Sequence, residues 1–93
     1  MITTFKRKFP YGRMVMTRGV AEEIHEMEIL DAIRRHLSGD WGDVNQNDTR
    51  MNEIALRDGY RLFSVYHTRA GKKFYIITEA DRSATTVLLP EEY

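Results

Sequence analysis

From Ile24 onward apolar residues recur at spacings of three and four. Ile24, Met27, Leu30, Ile33 and Leu37 form the series, with Ile29 on the same stripe. This rhythm predicts an amphipathic helix entered from Arg18–Gly19. Glu22, Glu23, Glu26 and Glu28 come early and Arg34, Arg35 and His36 late, an order that complements the helix dipole. Gly39 supplies a C-terminal stop. A break near Glu26, giving two short helices, fits the same letters. Asp40–Val44 (DWGDV) reads as a loop. Asn45 then reads as an N-cap with Asp48 as its capping-box partner. The helix it opens carries Met51, Ile54, Ala55 and Leu56 and ends at Asp58–Gly59.

Past Gly59 the periodicity changes. Tyr60–Thr68, Lys73–Glu79 and Thr85–Leu89 are rich in aromatic and β-branched residues. They are separated by the turn segments Arg69–Gly71 and Ala80–Ser83, and Pro90 stops the last. Such short connections predict an antiparallel meander. Arg13–Thr17, apolar at its centre and preceded by Pro10–Tyr11–Gly12, reads as a further strand or an extended arm. The expected class is α+β, one domain over residues 1–93. Its N-terminal helices pack on one face of a three- or four-stranded antiparallel sheet.

The strands are apolar on both faces. Leu62 and Tyr66 point one way and Phe63 and Val65 the other; Phe74 and Ile76 likewise oppose Tyr75 and Ile77. Helices cover only one face. The second is then either an aromatic interaction surface or lies under the N-terminal segment, and the letters leave both open.

Composition narrows the chemistry. Fourteen basic and fourteen acidic side chains cancel, so the excess of positive charge that sequence-independent DNA binding requires is missing. With no cysteine, disulfides, cysteine-based zinc sites and thiol nucleophiles are excluded. His25, His36 and His67 fall in different elements without metal-ligand spacing and read as scattered surface residues. Ser38, Ser64 and Ser83 have no activating neighbour and suit turns or caps. No phosphate-binding glycine loop or nucleophile elbow occurs. No apolar run reaches the ~20 residues of a membrane span, and no apolar segment follows Lys6–Lys8 to make a signal peptide. The expectation is a cytoplasmic protein with no catalytic residues, metal or cofactor.

Two segments are the most individual, SGDWGD (38–43) and TEADRSATT (78–86). Trp41 reads either as a recognition anchor or as a plug between helices and sheet. Asp40 or Asp43 is expected to pair with Arg82, fixing the loop to the hairpin turn. The other use of Arg82 is an exposed contact to phosphate or an acidic partner. The stretches VMTRGVAEEI, RRHLSGDWGDV, NEIALRDGYRLFSVY and FYIITEADRSATTVLLPEEY cover most of the chain from Met14. They resemble a family of small plasmid-related proteins carried on plasmids and integrative elements, with Tyr75 where the family pattern has tryptophan. The resemblance implies a mobile-element accessory role and supplies no catalytic residues. Small proteins on such elements often counter host defence by binding its components, which makes an anti-CRISPR or anti-restriction inhibitor the expected kind of activity. The alternative is a maintenance or regulatory factor binding nucleic acid or a DNA-associated protein. The expected contacts are Tyr60, Tyr66 and Tyr75 from the strands, with Trp41 and Arg82 at the edge, toward a protein partner or a second copy of the chain.

Overall fold

The computed structural model describes residues 6–93. Residues 1–5, the start of the polar N-terminal segment, lie outside the described residues. Thr17 divides the first two elements. Before it, Arg13–Met16 forms strand β1; its own hydroxyl accepts the Val20 N–H and caps helix α1, Arg18–Glu23. Ile24 and His25 are both extended, and His25 Nδ1 accepts the Met27 N–H to open α2, Glu26–Leu37. The helical stretch is therefore two helices, and the break resets its phase. The inward residues of α2 are Ile29, Ala32, Ile33, His36 and Leu37. Met27 and Leu30, expected on the same stripe, are exposed.

Asn45 caps α3, Gln46–Asp58, by accepting the Asp48 N–H, and Gly59 ends it in the left-handed region. Strands β2 (Leu62–His67), β3 (Lys73–Thr78) and β4 (Ala84–Leu88) form the antiparallel meander expected from their short turns. A fourth strand joins them: β1 lies beside β4, giving the order β1-β4-β3-β2. It runs parallel to β4, with Arg13 opposite Ala84 and Met16 opposite Val87. The class is α+β, and the sheet is mixed rather than wholly antiparallel. A parallel neighbour requires a long crossover, and here three helices and two strands supply it.

The helices cover one face. Val20, Ile24, Ile29 and Ala32 pack on Tyr66, Phe74, Ile76 and Val87. Beside them Leu37, Trp41 and Ala55 close over Leu62 together with Phe9. The described part of the N-terminal segment joins the helix layer and not the second face: Lys8 donates its N–H to the Leu37 carbonyl, and Phe9 is buried. The second face instead meets the 3₁₀ turn Pro90–Glu92 and Tyr93.

The two sheet edges differ. The outer edge of β2 is closed by a loop and a helix. Val65 donates to the Trp41 carbonyl (3.1 Å) and Asp43 donates to the Val65 carbonyl (2.7 Å). Asn52 of α3 donates to the Phe63 carbonyl (2.8 Å) and accepts the Phe63 N–H (3.1 Å). Gly42 passes so close that a Cβ there would sit 2.0 Å from the Val65 oxygen, so this loop needs glycine. The outer edge of β1 has no such cover among the described residues.

Candidate interaction surface

Several residues expected at a binding surface serve the interior. Trp41 is 3% exposed; its indole N–H donates to Glu53 Oε2 at 2.7 Å, and its ring packs beside Phe9 and His36. Tyr66 is buried on the helix face and donates its hydroxyl to the Asp40 carbonyl (2.6 Å). Arg35 lies over its ring at 4.9 Å, and burial raises the phenol pKa. Neither side chain is available as a partner contact.

Arg82 does not pair with Asp40 or Asp43. It occupies the β3–β4 turn at φ 62 and turns its guanidinium inward, donating to the carbonyls of Tyr60 (2.6 Å), Ala55 (3.0 Å) and Glu79 (3.1 Å). Its charge thereby sits at the C-terminal end of α3, where the helix dipole favours a cation. The two aspartates have nearer partners. Asp40 binds Arg35 (2.7 Å), whose hydrogen bond holds the carboxyl below its ordinary range. Asp43 binds His67 Nδ1 (2.7 Å).

A serine–histidine pair does exist, and it is sealed. His36 and Ser64 are both wholly buried, contrary to the expected surface histidine and turn serine. His36 Nδ1 lies 2.6 Å from Ser64 Oγ and Nε2 lies 2.9 Å from Thr78 Oγ1; Thr78 Oγ1 is 2.8 Å from Thr85 Oγ1, which donates to the Tyr11 carbonyl. The direction of this chain follows from its end. A carbonyl only accepts, so Thr85 spends its proton there and must accept from Thr78. Thr78 in turn accepts from His36 Nε2–H, leaving Nδ1 to accept from Ser64. Burial, assisted by the Arg82 charge, pushes the His36 pKa down to about 3. The imidazole is a neutral structural bridge between α2 and the sheet.

The exposed aromatic residues gather elsewhere. Between α3 and the second sheet face runs a groove of about 500 Å³ lined by Met51, Tyr60, Arg61, Phe63, Tyr75 and Tyr93, among others. Alternation in β2 and β3 places Phe63 and Tyr75 there, with ring centroids 4.8 Å apart. Tyr93 stands edge-on to both, at 5.9 and 6.1 Å. Arg61 lies over the Tyr93 ring and donates to its hydroxyl (3.0 Å). Tyr60 is 59% and Met51 56% exposed. Of the expected contacts, then, Tyr60 and Tyr75 share this surface. Phe63 was legible from the strand alternation. Tyr93, beyond Pro90, and Met51, on the helical side, carried no such signal.

A larger groove, about 810 Å³, lies between α2 and the β2–β3 turn. Its polar groups are mostly engaged: Arg35 with Asp40, His67 with Asp43, and Glu28 with the Arg69 N–H. Among the described residues no group of three or more histidine and acidic side chains is placed to hold a metal ion. No helix among them is long and apolar enough to cross a membrane. No protein-family model, curated protein or solved structure matches the chain.

Proposed function

We propose that the chain acts without catalysis, by seating another protein in the groove between α3 and the second face of the sheet. One observation carries this reading: Tyr60, Phe63, Tyr75, Tyr93 and Met51 converge on one apolar groove with an arginine at its rim. These are the residue types that interface centres favour, and concave aromatic surfaces accept anchor side chains. The zero net charge weighs toward a protein partner over bare nucleic acid. The likeness of SGDWGD and IITEADRSATT to plasmid-carried proteins supports a mobile-element accessory role. The partner class we infer from it is a host defence component, CRISPR or restriction, met in the cytoplasm.

Capture from a host carrying such defences, followed by mass spectrometry, tests this with the Tyr60→Ala/Tyr75→Ala double variant beside the natural chain. The variant should lose the captured protein while keeping a cooperative melt within a few degrees of the parent. Undiminished capture by the variant removes the groove from the account. Tight DNA binding that weakens steeply with salt, in the absence of a captured protein, replaces it with the maintenance or regulatory reading.

A further inference from the structure

The outer edge of β1 has no cover among the described residues. Arg13 donates its N–H to the Ser83 carbonyl and Thr17 donates to the Val87 carbonyl. Backbone groups alternate sides along a strand, so Arg13, Val15 and Thr17 serve the β4 ladder. Met14 and Met16 direct their N–H and C=O groups outward, and neither has a hydrogen-bond partner there among the described residues. Natural edges are commonly blunted by proline, lysine, a bulge or a covering loop. The edge of β2 has loop and helix cover; among the described residues Met14–Met16 has none of these devices.

We propose that this edge pairs antiparallel with the same edge of a second copy, about a two-fold axis through Val15, merging the two sheets into one of twice the width. The register follows from the geometry. Only pairs of outward-pointing residues exchange hydrogen bonds across an antiparallel edge, and centring on Val15 sets Met14 against Met16 of the second copy in both directions. Every free main-chain group of the two methionines is then satisfied. Val15 meets Val15 in the non-hydrogen-bonded position, where opposed side chains lie closer together. The methionine side chains face each other on the helix side, and methionine adapts readily to a new neighbour. Charge agrees with this register: Arg13 lies opposite Thr17, so no like charges oppose across the strands. The surface is separate from the aromatic groove, which stays open in the pair.

Cysteine scanning of β1 reads the register directly, because the chain has no thiol of its own. Opposed Cα atoms in a non-hydrogen-bonded pair are about 4.5 Å apart, inside the disulfide range of roughly 4.4–6.8 Å. Val15→Cys should therefore cross-link to a covalent dimer under mild oxidation. Met14→Cys and Met16→Cys, each facing the other residue type, should cross-link far less. Light scattering on the natural chain should give a mass approaching twice 10.9 kDa as concentration rises. Met14→Pro removes only an outward donor and should return the chain to a folded monomer. A chain that stays monomeric at high micromolar concentration overturns the proposal, as does equal cross-linking at all three positions or a dimer that survives Met14→Pro. None of these outcomes bears on capture through the groove, so the two readings fail separately.

Discussion

Burial decides what single side chains do here. Trp41 fills the seam between α2, α3 and Phe9 and places its one polar atom on Glu53. Trp41→Ala should cost about 3–5 kcal/mol, the usual range for an aromatic core truncation, visible as a large fall in melting temperature. His36 sets an acid limit. Its folded pKa, about 3, lies well below the ordinary 6.5, so an unfolded chain takes up the proton first as pH falls. The contribution is intact above pH 6.5 and drains away toward pH 3, at ~1.4 kcal/mol per unit in the steep part. The depressed carboxylates act in the same direction but lower: Asp40, held by Arg35, and Glu92, held by Thr17, lose their contributions only below about pH 4. Denaturant midpoints measured between pH 7 and 5 should thus already fall, and His36→Gln, which preserves a donor and an acceptor, should flatten that limb. An unchanged midpoint across this window would refute the buried neutral imidazole.

Among the elements, the part of the β2 edge that α3 closes depends on a single side chain. Asn52 takes both main-chain groups of Phe63. Asn52→Ala leaves an N–H and a C=O without partners beside a buried seam and should cost about 1–3 kcal/mol. Urea unfolding should show the midpoint lowered at constant slope; a neutral result would mean water replaces the amide. This contact also marks where sequence reading ends. The three C-terminal strands and the limits of α3 were legible because β-branched runs, Asn45 and Gly59 act locally. The break at Ile24–His25 was legible only as an alternative, and with it the phase of α2 was lost. His36 follows Ile29 and Ala32 at helical spacing, so its burial was in principle readable. The basic run Lys6–Lys8 hid Phe9 beside it. The partners of Arg82 could not be found by matching charges, since it binds carbonyls, which every residue carries.

At the scale of the whole molecule, the first and last strands are neighbours that run in the same direction. The Thr17 hydroxyl and the Gly19 N–H also hold Glu92, so the turn after β4 is fastened to the start of α1. This arrangement has a mechanical consequence. A force applied at the start of β1 and the end of β4 pulls the two strands past each other, loading every hydrogen bond between them at once in shear. Pulling from Tyr60 and Thr78, at the same end of the antiparallel pair β2–β3, would instead open the bonds one after another. Forced unfolding reports the height of the barrier along the pulled direction, so single-molecule extension from the ends should require a distinctly higher force than extension across the β2–β3 hairpin. Equal forces in the two directions would show that the ladder between β1 and β4 does not bear the tension. With the higher force along β1 and β4, a domain of this size, with no disulfide and no metal site among its described residues, resists being threaded from its ends far better than being peeled from its side.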